Sequence, residues 1–181
     1  MKPFQSKTIV LTAILTAFGI LIPLMMPVKI VIGPASFTLA SHVPIFLAIF
    51  ISTPIAIMVT LGTALGFLFA GFPIVIVFRA LSHIIFAAIG AILLQKFSKI
   101  KEKSLPLLLL ILSLNLLHGL AEFFVVFGFT ATTNMTVSYL WSLFLLVGIG
   151  SFIHGTIDFY IAYYLKNILS NKVGIDFSLE R

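Results

Sequence analysis

Pro73–Phe97 reads PIVIVFRALSHIIFAAIGAILLQKF, an apolar run long enough to cross a bilayer yet carrying Arg79 and His83 within it. About 20 predominantly apolar residues span the hydrocarbon core of a membrane as a helix, so the spacing predicts a transmembrane helix over 73–97. An ionisable side chain at bilayer depth costs about 2.5–3.5 kcal/mol on insertion scales and marks a functional site by default. The same pattern recurs along the chain, and it decides the fold class. Of 181 residues, 61% are hydrophobic and 9% charged, where a soluble domain carries about 25% charged residues. So little charge cannot cover a water-facing surface, which excludes soluble globular and disordered readings. The expected fold is an all-α integral membrane bundle of six helices, with no separate soluble domain.

The other helices are expected at about 8–26, 43–52, 54–69, 104–127 and 137–166, all within a single domain over 1–181. Pro23 and Pro27 end the first, and Pro54 separates the short second helix from the third, so these two form one bent unit. Gly71-Phe72-Pro73 makes a turn. Val28–His42 is too polar and broken to span, and reads as a loop or short extended segment. The first helix begins like a signal peptide, but no A-x-A-like cleavage site follows, so it is expected to be retained.

Charge placement assigns the sidedness. With the N-terminus cytoplasmic, the inner segments hold Lys2, Lys7, Lys96, Lys99, Lys101, Lys103, Lys166, Lys172 and Arg181. Only Lys29 lies outside, and Arg79 is within a helix. The net charge of +6 is therefore a topology signal and not a nucleic-acid footprint. Both termini are expected on the cytoplasmic face of a multi-pass plasma-membrane protein.

Three helices carry polar pairs at i, i+4, hence on one face: Arg79 and His83, His118 and Glu122 with Asn115 one turn away, and His154 and Asp158. At 1.5 Å per residue from the outer helix ends, Arg79 lies about 9 Å deep and His83 about 15 Å, matching Glu122 at about 8 Å and His118 at about 14 Å. With Asn115 at about 18 Å, these two sets share a level in the outer half. Arg79–Glu122 as a structural ion pair competes there with a pocket in which Arg79 meets an anionic ligand group, its planar fork suiting a carboxylate. His154 and Asp158 are expected nearer the cytoplasmic end, in helix packing or an interfacial contact. His-x-x-x-Glu and His-x-x-x-Asp are legitimate metal-ligand spacings, but the difference in depth argues against a shared site, and no metal or cofactor is expected. There is no cysteine, no phosphate-binding loop, no H-E-x-x-H and no G-x-S-x-G, so no enzyme activity is expected. Gly62-x-x-x-Gly66 allows close helix approach, most simply as internal packing.

The six helices, the basic cytoplasmic start and Ala13-Ile-Leu-Thr-Ala17 in the first helix together resemble the substrate-binding S component of an energy-coupling factor (ECF) vitamin transporter. Ile32-Gly33-Pro34-Ala35-Ser36-Phe37-Thr38, before a short helix, resembles the extracellular loop that these proteins fold over their ligand. The resemblance covers about residues 7–167. It implies a vitamin bound in the outer half of the bundle, docking through Ala13 and Ala17 on a transmembrane coupling subunit, and two separate ATPase subunits supplying the energy. A toppling rotation would then present the ligand to the cytoplasm. It also implies that Arg79, His83, Asn115, His118 and Glu122 face the pocket, and that Phe37, Thr38, Asn134, Tyr139 and Trp141 close it. Trp141 reads equally as a lipid-interface anchor. A carboxylate ligand and few aromatics at the mouth lean toward pantothenate, ahead of niacin and hydroxymethylpyrimidine. A stand-alone proton-coupled secondary transporter, with the histidines and acids as relay, is the alternative from another class.

Overall fold

Val43–Ile51, the helix α2, is apolar on every side, and all nine of its residues are buried. A helix hydrophobic all round belongs inside a bundle. In the computed structural model, which describes residues 6–97, 99–100, 103–132, 135–174 and 177, α2 is the central element. It packs against α1 (Ser6–Met25), α3 (Thr53–Phe69), α4 (Ile74–Lys96) and the last helix, α7 (Gly150–Val173). α5 (Ser104–Thr130) closes the ring between α4 and α7. Phe46 of α2 meets Phe86 of α4 and Phe159 of α7, with ring centroids 5.4 and 5.2 Å apart, and all three rings are buried.

α1, α4, α5 and the rod Val137–Lys172 are each long and apolar enough to cross a membrane. α2 is not. Nine residues rise about 14 Å, half of a hydrocarbon core about 30 Å thick. It therefore starts at mid-bundle, runs to the end opposite the hairpin described below, and hands over at Ser52 to α3. Ser52 caps α3 by accepting from the amide of Ile55. The last rod is one helical path in three parts: α6 (Val137–Leu143), a π-helical turn over Phe144–Ile149, and α7.

Residues 28–42, expected as a loop or short extended segment, fold as an antiparallel hairpin of β1 (Lys29–Ile32) and β2 (Ala35–Thr38), turning at Gly33-Pro34. Gly33 takes a φ of +55°, which favours glycine there. β1 is exposed along its length, whereas β2 lies inward with Ala35 fully buried. The hairpin thus covers one end of the bundle, and lysines mark the other end, at Lys7 of α1, Lys96 of α4, Lys103 just before α5 and Lys172 of α7.

Gly62 and Gly66 seat α3 on α1: a Cβ at Gly62 would lie 2.7 Å from Thr16 Cγ2, and one at Gly66 would strike Ile20. That is the internal-packing role. Ala13 and Ala17 sit on the opposite side of α1, exposed, beside exposed Val10, Ile14, Phe18 and Leu21.

Candidate functional site

Helix α2 begins inside the membrane, so its free N–H groups need partners that water cannot supply. Asp158 of α7 partners the N-cap amide of His42 and fixes the turn that leads into α2, while the amide of Val43 donates to the Ala40 carbonyl. Asp158 Oδ1 accepts from the amide of Ala40 at 2.8 Å, and its Oδ2 accepts from the amide of His42 at 2.9 Å. The same oxygen lies 3.0 Å from His42 Nδ1. His154, one turn earlier, reaches Ser41 Oγ at 3.1 Å. His42 is 6% exposed, and its ring is edge-on to those of His83, His118 and His154, with centroids 4.7, 4.6 and 5.0 Å away.

The expected separation of His154 and Asp158 from the outer level is therefore corrected. Both join the central cluster through His42. The rod Val137–Lys172 is 36 residues long, more than a bilayer requires, so position along it was a poor gauge of depth. His42 itself escaped the reading because it precedes the short helix in what looked like a surface loop. A helix as apolar as α2, starting at His42-Val43-Pro44, is the signal that could have found it, because such a start needs a carboxylate nearby.

Glu122 of α5 is the second organising group. Arg79 Nη2 donates to its Oε2 at 2.8 Å, and Ser151 Oγ donates to the same oxygen. Oε1 lies 2.9 Å from His83 Nε2 and 3.6 Å from His118 Nε2. Ser151 reaches Glu122 because the π-helical turn just before it lets the last rod run against α5. There the carbonyl of Gly148 would collide with any Cβ at Gly119. Such π-helical turns occur often at functional sites. Arg79 also reaches the hairpin, donating through Nη1 to Ser36 Oγ at 3.0 Å and through Nη2 to the Ser36 carbonyl at 3.3 Å. The ion pair and the hairpin contact are thus made by one guanidinium.

Between the hairpin and the facing ends of α1, α3 and α4 lies a cavity of about 400 Å³. Arg79, His83, Glu122 and Thr38 line it, as do His42, Ser36, Ser41 and Lys29. Phe67 and Phe72, stacked with centroids 4.5 Å apart, form part of its wall. Asn115 and His118 are buried and lie outside this lining. Phe37 is turned away from it, against His154 at 5.6 Å, and its ring would strike a Cβ at Gly150. Tyr139 and Trp141, expected to close the pocket, are 38% and 60% exposed and do not line it. They stand on α6, beyond the hairpin that already covers this end, and Trp141 packs only on Phe144 among aromatic neighbours in the described residues. Asn134 lies outside the described residues.

A helical membrane bundle that keeps a mostly apolar cavity with a few charged groups under a hairpin cover has the build of a solute-binding transport protein. Over 177 residues, 97% of its length, the chain is 38% identical to the niacin transporter NiaX of Lactococcus lactis subsp. cremoris (strain MG1363), 80% of which is covered. It belongs to the S components of ECF vitamin transporters, multi-pass membrane proteins that work with a vitamin and a membrane module. No family model matches the chain, and no solved structure matches it.

Proposed function

We propose that this S component takes up niacin. The observation that carries the reading is the 38% identity, along nearly the whole chain, to a protein named as a niacin transporter. The cavity supports it physically. About 400 Å³ is near the lower end of ligand pockets, fitting a single-ring acid better than an extended one. The Phe67–Phe72 wall offers a flat ring a stacking surface, and Arg79 with Lys29 offers cations to a carboxylate. Pantothenate, favoured from sequence, rested on the resemblance, on few aromatics at the mouth and on the carboxylate argument, and the last serves niacin equally.

In this reading the hairpin end faces outward and both termini face the cytoplasm, in keeping with the lysines at the opposite end of the bundle. The exposed Ala13–Ala17 face docks on a coupling subunit, and two ATPases supply the energy. Glu122 holds Arg79 in place, Arg79 meets the carboxylate, and the hairpin covers the occupied cavity.

The test is mass spectrometry of small molecules released from the purified protein, followed by calorimetric titration with nicotinate and pantothenate. Tight nicotinate binding with no pantothenate heat is expected, and the reverse ranking would overturn the substrate assignment. Uptake should stop when the Walker motifs of the host's ECF ATPases are mutated. Uptake that persists and follows the proton gradient would favour the stand-alone permease.

A further inference from the structure

Four imidazoles and two carboxylates meet at mid-bundle, a density of titratable groups that a carboxylate-binding cavity does not require. His83 and His118 have ring centroids 4.9 Å apart, and both are edge-on to His42. His118 is 1% exposed, and neither of its ring nitrogens has a hydrogen-bond partner among the described residues. A buried imidazole must carry at least one N–H and leaves its other nitrogen a lone pair or a second N–H, so both positions are desolvated without return. Gly155 leaves this ring its room, since a Cβ there would stand 2.7 Å from His118 Nδ1.

We propose that His42, His83, His118 and Glu122 hold a divalent transition-metal ion of the zinc class. One donor atom from each lies within 4.8 Å of every other. Around tetrahedral zinc such atoms stand about 3.3 Å apart, which asks for small side-chain rotations toward a common centre. Three imidazole nitrogens and one carboxylate oxygen suit zinc, and they suit the oxygen-seeking calcium and magnesium poorly.

Outer contacts already orient two of these ligands, His42 and Glu122, as metal sites demand. Asp158 takes His42 Nδ1 and leaves Nε2 for the ion, while Asp158 itself is fixed by two backbone amides. Arg79 and Ser151 occupy Glu122 Oε2, which turns Oε1 toward His83 Nε2 and His118 Nε2. Because His42, His83 and Glu122 also line the cavity, the ion sits at its inner wall. The second cluster, His42 with His154 and Asp158, is less suited because it offers three ligand residues where the first offers four, and Asp158 already accepts two backbone amides. The site rests on these side chains and stands whichever vitamin is carried.

The test uses the full chain in detergent, stripped with a chelator and dialysed against zinc chloride, with metal content read by mass spectrometry. About one zinc per chain is expected, with binding lost in His118→Gln and weakened about ten- to a hundred-fold in Asp158→Asn. Cobalt(II) in place of zinc should give the intense visible bands of four-coordinate nitrogen and oxygen ligation. That spectrum decides on the wild-type protein even where a variant fails to fold. Wild-type protein that retains no stoichiometric zinc, or cobalt bands no stronger than those of the hydrated ion, would overturn the proposal.

Discussion

Replacing Arg79 separates two roles that its geometry joins. The Arg79 side chain is 6% exposed and that of its partner Glu122 is 3% exposed, so their 2.8 Å contact is a buried ion pair. Removing one partner of such a pair costs about 3–5 kcal/mol, because a charge is left buried and uncompensated. Arg79→Gln should therefore lower the unfolding free energy by about that amount, measured by denaturant titration in mixed micelles. Chelator in the buffer ensures that no ion contributes. Glu122→Gln added to it removes the orphaned charge and should restore most of the loss. Binding should not recover. Arg79 lines the cavity while Glu122 and Ser36 hold its guanidinium, so it stands where an incoming anion would meet it. A hydrogen bond to a charged group contributes about 1.5–3 kcal/mol, so the double variant should bind nicotinate about ten- to a hundred-fold more weakly by calorimetry. If Arg79→Gln with Glu122→Gln recovers stability and affinity together, Arg79 is a structural strut and the anion-binding reading is refuted.

Ala13→Trp or Ala17→Trp should leave nicotinate affinity unchanged but abolish co-purification with the coupling subunit, because both alanines are exposed on α1 and touch nothing that shapes the cavity. A complex that still co-purifies puts the docking face elsewhere. Gly119→Ala should cost about 1–3 kcal/mol in the same denaturant titration, since its Cβ would meet the backbone of Gly148 and stand 3.3 Å from the amide nitrogen of Phe152. Gly128→Ala, with nothing within 4 Å of its Cβ, should cost far less, and equal losses would contradict the close approach of α5 to the last rod. Phe37→Ala should speed nicotinate release in stopped-flow measurements, because it removes the ring that seats the hairpin against Gly150 and His154. An unchanged release rate would mean that the hairpin does not govern exit.

The bundle was legible because membrane helices announce themselves one at a time. Pro73–Phe97 needed only its length and hydropathy to predict a helix, and the structure has it at Ile74–Lys96. Arg79, His83 and Glu122 were legible for a related reason: i, i+4 spacing fixes a shared face, and a nearby helix end is a fair ruler of depth. Both rulers failed where the chain departs from plain spans. α2 starts in mid-membrane, so His42 had no helix end to be measured from, and the last rod overshoots the bilayer, so His154 and Asp158 were placed too far from it.

What joined the two levels was a long-range need that no spacing reports. A helix that begins inside a membrane leaves its first amides bare, and some other segment must satisfy them. Asp158 does so for the N-cap amide of His42 from 116 residues away, and the same oxygen holds His42 Nδ1, whose ring faces His83 and His118. The centre of the site is therefore a consequence of how α2 is capped. It follows that Asp158→Asn should disturb the cavity from outside its lining. An asparagine keeps one accepting oxygen and turns the other arm into an NH2 donor, so it can no longer accept from the amides of Ala40 and His42 at once. Loss of a cap of this kind costs about 0.5–2 kcal/mol. The informative readout is the balance between stability and binding. If His42 is held by Asp158, nicotinate affinity falls along with stability although residue 158 does not touch the cavity, and Ser41→Ala, which keeps the cap, leaves stability nearly unchanged. Affinity that stays at the wild-type value in a measurably destabilised Asp158→Asn protein would break the link between the cap and the site.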